Sequence, residues 1–131
     1  MEPVLQFEGY QIEKIIYEKN IETSDENNIN VEVSTGLNSE RDKGKVELSI
    51  NVLESNENRK LEISLVGFFT FSNVDDNKKT EILAINGTAI LYPYIRSVAS
   101  MVTSQDSSPA IILPTVNTIN FFKNKSSNEE N

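Results

Sequence analysis

Residues 29 to 71 alternate between apolar and polar side chains with period two, the pattern of strands that bury one face. In INVEVST the apolar positions are Ile29, Val31 and Val33, set against Asn30, Glu32 and Ser34. KVELSINV repeats the pattern, with Val46, Leu48, Ile50 and Val52 on one side and Lys45, Glu47, Ser49 and Asn51 on the other. KLEISLVGFFTF keeps Leu61, Ile63, Leu65, Phe69 and Phe71 on one face, but Val66 and Phe68 are apolar on the opposite one. The end of this strand therefore requires cover on both sides. The earlier FEGYQIEKIIY changes phase near Lys14 and Ile15: Tyr10 and Ile12 share a face with Ile16, and Phe7 shares one with Ile15 and Tyr17. A bulge or strong twist accounts for such a shift. The connections TGLNSERDKGK and ESNENR are short or polar enough for antiparallel neighbours, so the first part of the chain reads as an antiparallel sheet.

After Phe71 the period lengthens. DDNKKTEILA predicts a short helix with acidic residues near its start and Asn86-Gly87 as its stop. A second helix is predicted from Tyr92-Pro93, where proline suits the first turn, to about Gln105. Leu91, Tyr94, Ile95, Val98, Met101 and Val102 form its apolar stripe, opposite Ser97, Ser100 and Ser104. Such a stripe reads first as a helix laid on the sheet. The run Asp106-Ser107-Ser108-Pro109 breaks this helix, and AIILP is extended at its end because Pro114 disfavours helix at Leu113. Asn117 or Thr118 caps a last short helix, TINFFKN, and the polar residues from Lys123 onward need no fixed structure. The expectation is an α+β fold, a four-stranded antiparallel sheet followed by helices packed on one face. It comprises a single domain over 1–124 and a disordered polar tail over 125–131.

Composition narrows the function. A chain of 131 residues with 37% apolar content builds one core, burying somewhat under about 70% of its unfolded surface. A net charge of -8, from 20 acidic and 12 basic residues, argues against nucleic acid and favours basic partners. Cysteine and histidine are absent, which removes disulfides, thiolate nucleophiles, the common zinc sets and the usual general base at neutral pH. The start, MEPVLQFEGYQIEK, carries no secretory pattern, so a cytoplasmic location is expected. Ile82 to Ile95, uncharged but short and interrupted by Asn86, Gly87 and Pro93, is no membrane helix. The sequons at Asn86 and Asn124 carry no weight in a cytoplasmic chain.

Reactive chemistry finds little support. The five glycines are scattered singly, so no phosphate loop forms. Asp75, Asp76 and Glu81 read as helix-capping groups rather than metal ligands or catalytic carboxylates, and no motif singles out a Ser-Lys pair. The chain reads as a non-enzyme without a cofactor. What remains is surface: apolar and aromatic residues in excess of what one small core encloses.

At ILYPYIRSVASMVTSQDSSPAIILPTVNTINFFKN the sequence resembles the SecB family of bacterial export chaperones. Leu91-Tyr92-Pro93-Tyr94 and Arg96 match that family's helix opening, and Ser100-Met101-Val102 its helix end. Leu113-Pro114-Thr115-Val116-Asn117 matches its connecting segment except in spacing around the proline. YQIEKIIYEKNIE also looks like the family's first strand, at Gln11-Ile12 and Tyr17-Lys19. The resemblance implies pairing through first strands into dimers and association through the long helices into a homotetramer, a dimer of dimers. An edge strand that invites pairing and a serine-lined helix face are compatible with that assembly.

The resemblance further implies an ATP-independent holdase that keeps unfolded preproteins translocation-competent in an apolar groove between the sheet and the segment after the long helix. Carried onto this chain, the groove draws on Phe68, Phe69, Tyr92, Tyr94, Ile111, Leu113, Val116 and Phe121. Phe69 belongs to the inward strand set and reads first as core, while Phe68 would equally cover a subunit contact. Glu62 stands where the family docks the SecA motor ATPase, but Asn20 replaces a usual acid after the first strand and the last helix is short. These departures raise an alternative, a SecB-like chaperone dedicated to the antitoxin of a toxin–antitoxin system. An alternative of another class is a module that binds a small apolar ligand in the same cavity.

Overall fold

The computed structural model describes residues 4–115. The short helix and polar tail expected beyond them, and the groove positions Val116 and Phe121, lie outside the described residues. Four strands, β1 (Leu5–Lys19), β2 (Asn28–Leu37), β3 (Lys43–Glu54) and β4 (Arg59–Phe71), form one antiparallel sheet in the order β1-β4-β3-β2. Strands β2, β3 and β4 follow one another as hairpins, whereas β1 adds to the far side of β4 and becomes one edge. Asn20 ends β1 in the left-handed region (φ 60°), a conformation asparagine tolerates better than most residues.

Period-two patterning decides which face packs. Val46, Leu48, Ile50 and Val52 of β3 and Leu61, Ile63, Leu65 and Phe69 of β4 are all buried on one face; Leu48, Ile50 and Val52 lie opposite Leu65, Ile63 and Leu61, while Val46 and Phe69 lie opposite Gly67 and Gly44. Burying each side chain of this kind contributes about 1.5–3 kcal/mol, so this inner face is the main source of stability. The phase change in β1 is real but doubled. The register shifts between Phe7 and Gly9 and again between Ile12 and Lys14, and each bulge inserts one residue. Phe7, Tyr10, Ile12, Ile15 and Tyr17 therefore oppose Phe69, Gly67, Leu65, Ile63 and Leu61, all on the inner face. The sequence pattern divided these five residues between two faces because a single shift was allowed for.

The helical part crosses this face as one stretch rather than two helices. Helix α1 (Lys79–Ile82) passes through a π turn (Leu83–Gly87) into α2 (Thr88–Thr103) with no break at Asn86-Gly87. Gly87 keeps helical dihedrals (φ -62°, ψ -43°), so it does not stop the helix as expected. Its absent side chain is needed elsewhere, because a Cβ there would lie 2.8 Å from Cγ2 of Val46. Pro93 falls inside α2 rather than in its first turn. It removes the donor for the carbonyl of Ala89, and both residues are exposed, so solvent can replace that bond. The buried face of α2 is Leu91, Tyr92, Ile95, Val98 and Ala99, while Met101, expected in the stripe, is 57% exposed.

Candidate functional site

Residues 109–115 return along α2 as an extended strap. Pro114 imposes that conformation on Leu113, and alternation does the rest: Ile111 and Leu113 are buried while Ile112 between them is 71% exposed. Side chains hold the strap's main chain. Arg59 Nη2 donates to the Pro109 carbonyl (2.8 Å), and the Ile111 N–H donates to Thr103 Oγ1 (2.7 Å). Ser100 Oγ donates to the Ile111 carbonyl (3.0 Å), and the Tyr92 hydroxyl donates to the Pro114 carbonyl.

Arg59 is the pivot of this arrangement, with a side chain only 2% exposed. Burial opposes its charge, but hydrogen bonds to Tyr17 (3.1 Å) and Glu54 (2.6 Å) more than offset that, leaving its pKa raised. The start of β4, the end of β3, β1 and the strap thus meet at one guanidinium. A second, exposed link joins Lys19 to Asp106 at 2.9 Å in the turn that precedes the strap. The Lys19 hydrogen bond, helped by the Ser108 N–H, holds the Asp106 carboxyl down to about 2. Burial raises the pKa of the Tyr92 hydroxyl, keeping it a donor to the strap.

Between the strap and the sheet lies a recess of about 410 Å³ lined by Asn27, Asn28, Ile29, Val52, Leu53, Glu54, Ile111 and Ile112. Ile29, 46% exposed at the start of edge strand β2, and Ile112 are its accessible apolar residues. Asn28 and Ile29 of β2, an edge strand among the described residues, border the recess, so an extended polypeptide meets apolar side chains at the margin of the sheet.

The residues singled out from sequence do not all gather here. Ile111 lines the recess, whereas Leu113, at 1% exposed, packs in the core beneath the strap. Phe69 is likewise core at 1%, in tilted contact with the Phe7 ring at a centroid distance of 5.4 Å. Tyr92 is buried on the helix side, and Tyr94, 38% exposed, joins Phe7 and Tyr10 in an aromatic cluster over β1. Phe68 points from the opposite face, where it borders a separate hollow of about 280 Å³ with Gly36, Leu37 and Lys45. Glu62 lies on that outer face, paired with Lys14 at 2.8 Å. Sequence reasoning missed Ile29, Val52 and Ile112. The signals were there: Ile29 opens an inward set on a strand, and Ile112 is out of phase with Ile111 and Leu113.

Residues 5–129 match the family described as preprotein translocase subunit SecB. This chain belongs to the SecB family. The protein-export protein SecB of Alcanivorax borkumensis is 26% identical over 83 residues, 60% of this chain and 53% of that protein. An uncharacterized protein of Methanocaldococcus jannaschii is 33% identical over 64 residues, 49% of this chain and 41% of its own length. The chain thus spans about half, or less, of the curated relatives it matches. Among solved structures, a SecB-like chaperone of Mycobacterium tuberculosis in complex with a ChAD peptide from an antitoxin superposes with a TM-score of 0.69 at 15% identity. That match covers 86% of this chain and 87% of the other. A protein of unknown function from Streptococcus agalactiae superposes at 0.54 with 12% identity, covering 85% and 97%. The SecB fold, an antiparallel four-stranded sheet followed by a long helix on one face, is therefore common to proteins with little sequence in common. Among the described residues no helix is long and apolar enough to cross a membrane.

Proposed function

We propose that this SecB family member is an ATP-independent holdase chaperone, which binds unfolded precursor polypeptides in the recess between the sheet and the strap. The supporting observation is the recess itself, where Ile29 of β2 and Ile112 of the strap stay exposed. An extended client gains apolar burial there, at about 25 cal/mol per Å², and main-chain hydrogen bonds. Both interactions are indifferent to the client's sequence, as a chaperone of many clients requires. Binding and release need no bond chemistry and no cofactor. The proposed setting is the cytoplasm.

Assembly into a homotetramer, a dimer of dimers, is part of this reading: β1 is a 15-residue edge with Ile12 and Ile15 exposed on its inner face. The single-domain reading of 1–124 with a polar tail over 125–131 belongs to it too, as does lining of the groove by Tyr94, Val116 and Phe121. Delivery to the SecA motor through Glu62 is a further step, with Lys14 as the charge to be displaced. To test the holdase reading, purified protein in excess is mixed with a slowly refolding polypeptide. Suppressed aggregation and slowed refolding are expected, and unchanged rates would refute it.

A second reading, a chaperone dedicated to one antitoxin, is favoured by the fold's match to the M. tuberculosis chaperone bound to an antitoxin peptide. It predicts tight, selective binding of one disordered tail and weak general holdase activity in the same assay. Saturable binding of a small apolar ligand with no affinity for unfolded chains would overturn both.

A further inference from the structure

Four side chains, Arg59, Tyr92, Ser100 and Thr103, bind the strap solely through its main-chain groups. The strap's own apolar residues, Ile111 and Leu113, are two apart and enter the core side by side along α2. Main-chain bonds at intervals together with apolar side chains at i and i+2 are what any extended polypeptide can offer. Arg59 is already neutralised by Glu54, so it is suited to a carbonyl oxygen rather than to a client carboxylate.

We propose that residues 109–115 are the chain's own occupant of an extended-peptide site, and that an unfolded client displaces them. This rests on the holdase reading and deepens it: the ligand class is an extended segment with apolar residues at alternate positions. The client enters at the recess, where Ile111 forms one wall, and takes over the positions of Ile111 and Leu113. Loss of two buried side chains by the strap is matched by burial of two from the client, so the exchange is close to balanced. The bound strap acts as an autoinhibitory contact, which lowers apparent client affinity by the fraction of molecules in which it is seated.

The direct test is amide hydrogen exchange of the wild-type protein with and without a saturating reduced and alkylated polypeptide. The Ile111 amide, held by Thr103, is expected to lose protection when the client binds, and unchanged or increased protection would overturn the proposal. In a second experiment, Leu113→Ala weakens the seating of the strap at a residue that does not line the recess. Client Kd is expected to fall about tenfold, and an unchanged or higher Kd overturns the displacement. Failure of wild-type protein to bind any unfolded chain would refute the holdase reading instead. The strap is then judged by an apolar dye: the Leu113→Ala variant is expected to bind more of it than wild type, and no gain overturns the proposal.

Discussion

Val46 and Gly87 meet so closely that a methyl group on the glycine would lie 2.8 Å from the valine's Cγ2. This contact sets how near the π turn and α2 approach β3, and therefore where the strap that follows α2 crosses the sheet. Gly87→Ala gains helix propensity, yet it must push the helix off β3 or strain Val46. We expect a net loss of about 1–3 kcal/mol, the usual cost of overpacking, measured by urea denaturation.

Tyr92→Phe removes one hydroxyl, the donor to Pro114, and leaves the ring in place. A loss of about 1 kcal/mol is expected, with faster exchange confined to the strap. A loss spread evenly over β3 and β4 would contradict this placement.

Arg59→Met should be more damaging, because the buried guanidinium serves Glu54, Tyr17 and Pro109 together. Hydrogen bonds to a charged group are worth about 1.5–3 kcal/mol, and Glu54, 28% exposed, recovers part of its loss from water. We expect destabilisation by about 2–3 kcal/mol. Lys60→Met, on the exposed neighbouring position, should change stability by no more than about 0.5 kcal/mol.

The Lys19–Asp106 link predicts an acid dependence. Asp106 is held at about 2, below the ordinary carboxylate value, so its folded-state pKa is depressed. Its contribution is present above the unfolded-state value and is lost as pH falls from about 4 toward about 2. The melting temperature of Asp106→Asn should therefore lie below wild type at pH 6 and converge with it near pH 2. A constant gap across that range would contradict the assignment. Lys19, raised by the same hydrogen bond, adds stability that is lost only in strong alkali.

Strands β2, β3 and β4 were legible from the sequence because each buries one face along its whole length, and period two survives when no residue is inserted. In β1 two bulges bring Phe7, Tyr10, Ile12, Ile15 and Tyr17 to one face and leave Ile16 on the other, and only pairing with β4 reveals the second bulge. Gly87 was misread for a related reason. A glycine after an apolar run is a common helix stop, but here the requirement comes from Val46, 41 positions away in sequence (87 minus 46). The groove was legible as a region and not residue by residue. The extended segment before Pro114 was foreseen, while which of Ile111, Ile112 and Leu113 faces out depends on how α2 holds the strap's main chain.

The claim that the recess binds unfolded chains is tested most directly at Ile29, an exposed residue whose replacement spares the core. Fluorescence anisotropy of a labelled, reduced and alkylated polypeptide gives client Kd for wild type and Ile29→Asp, alongside the melting temperature of each. The account predicts a rise in Kd of about tenfold, equivalent to about 1.4 kcal/mol, with the melting temperature nearly unchanged. An equal Kd for the two proteins would contradict it.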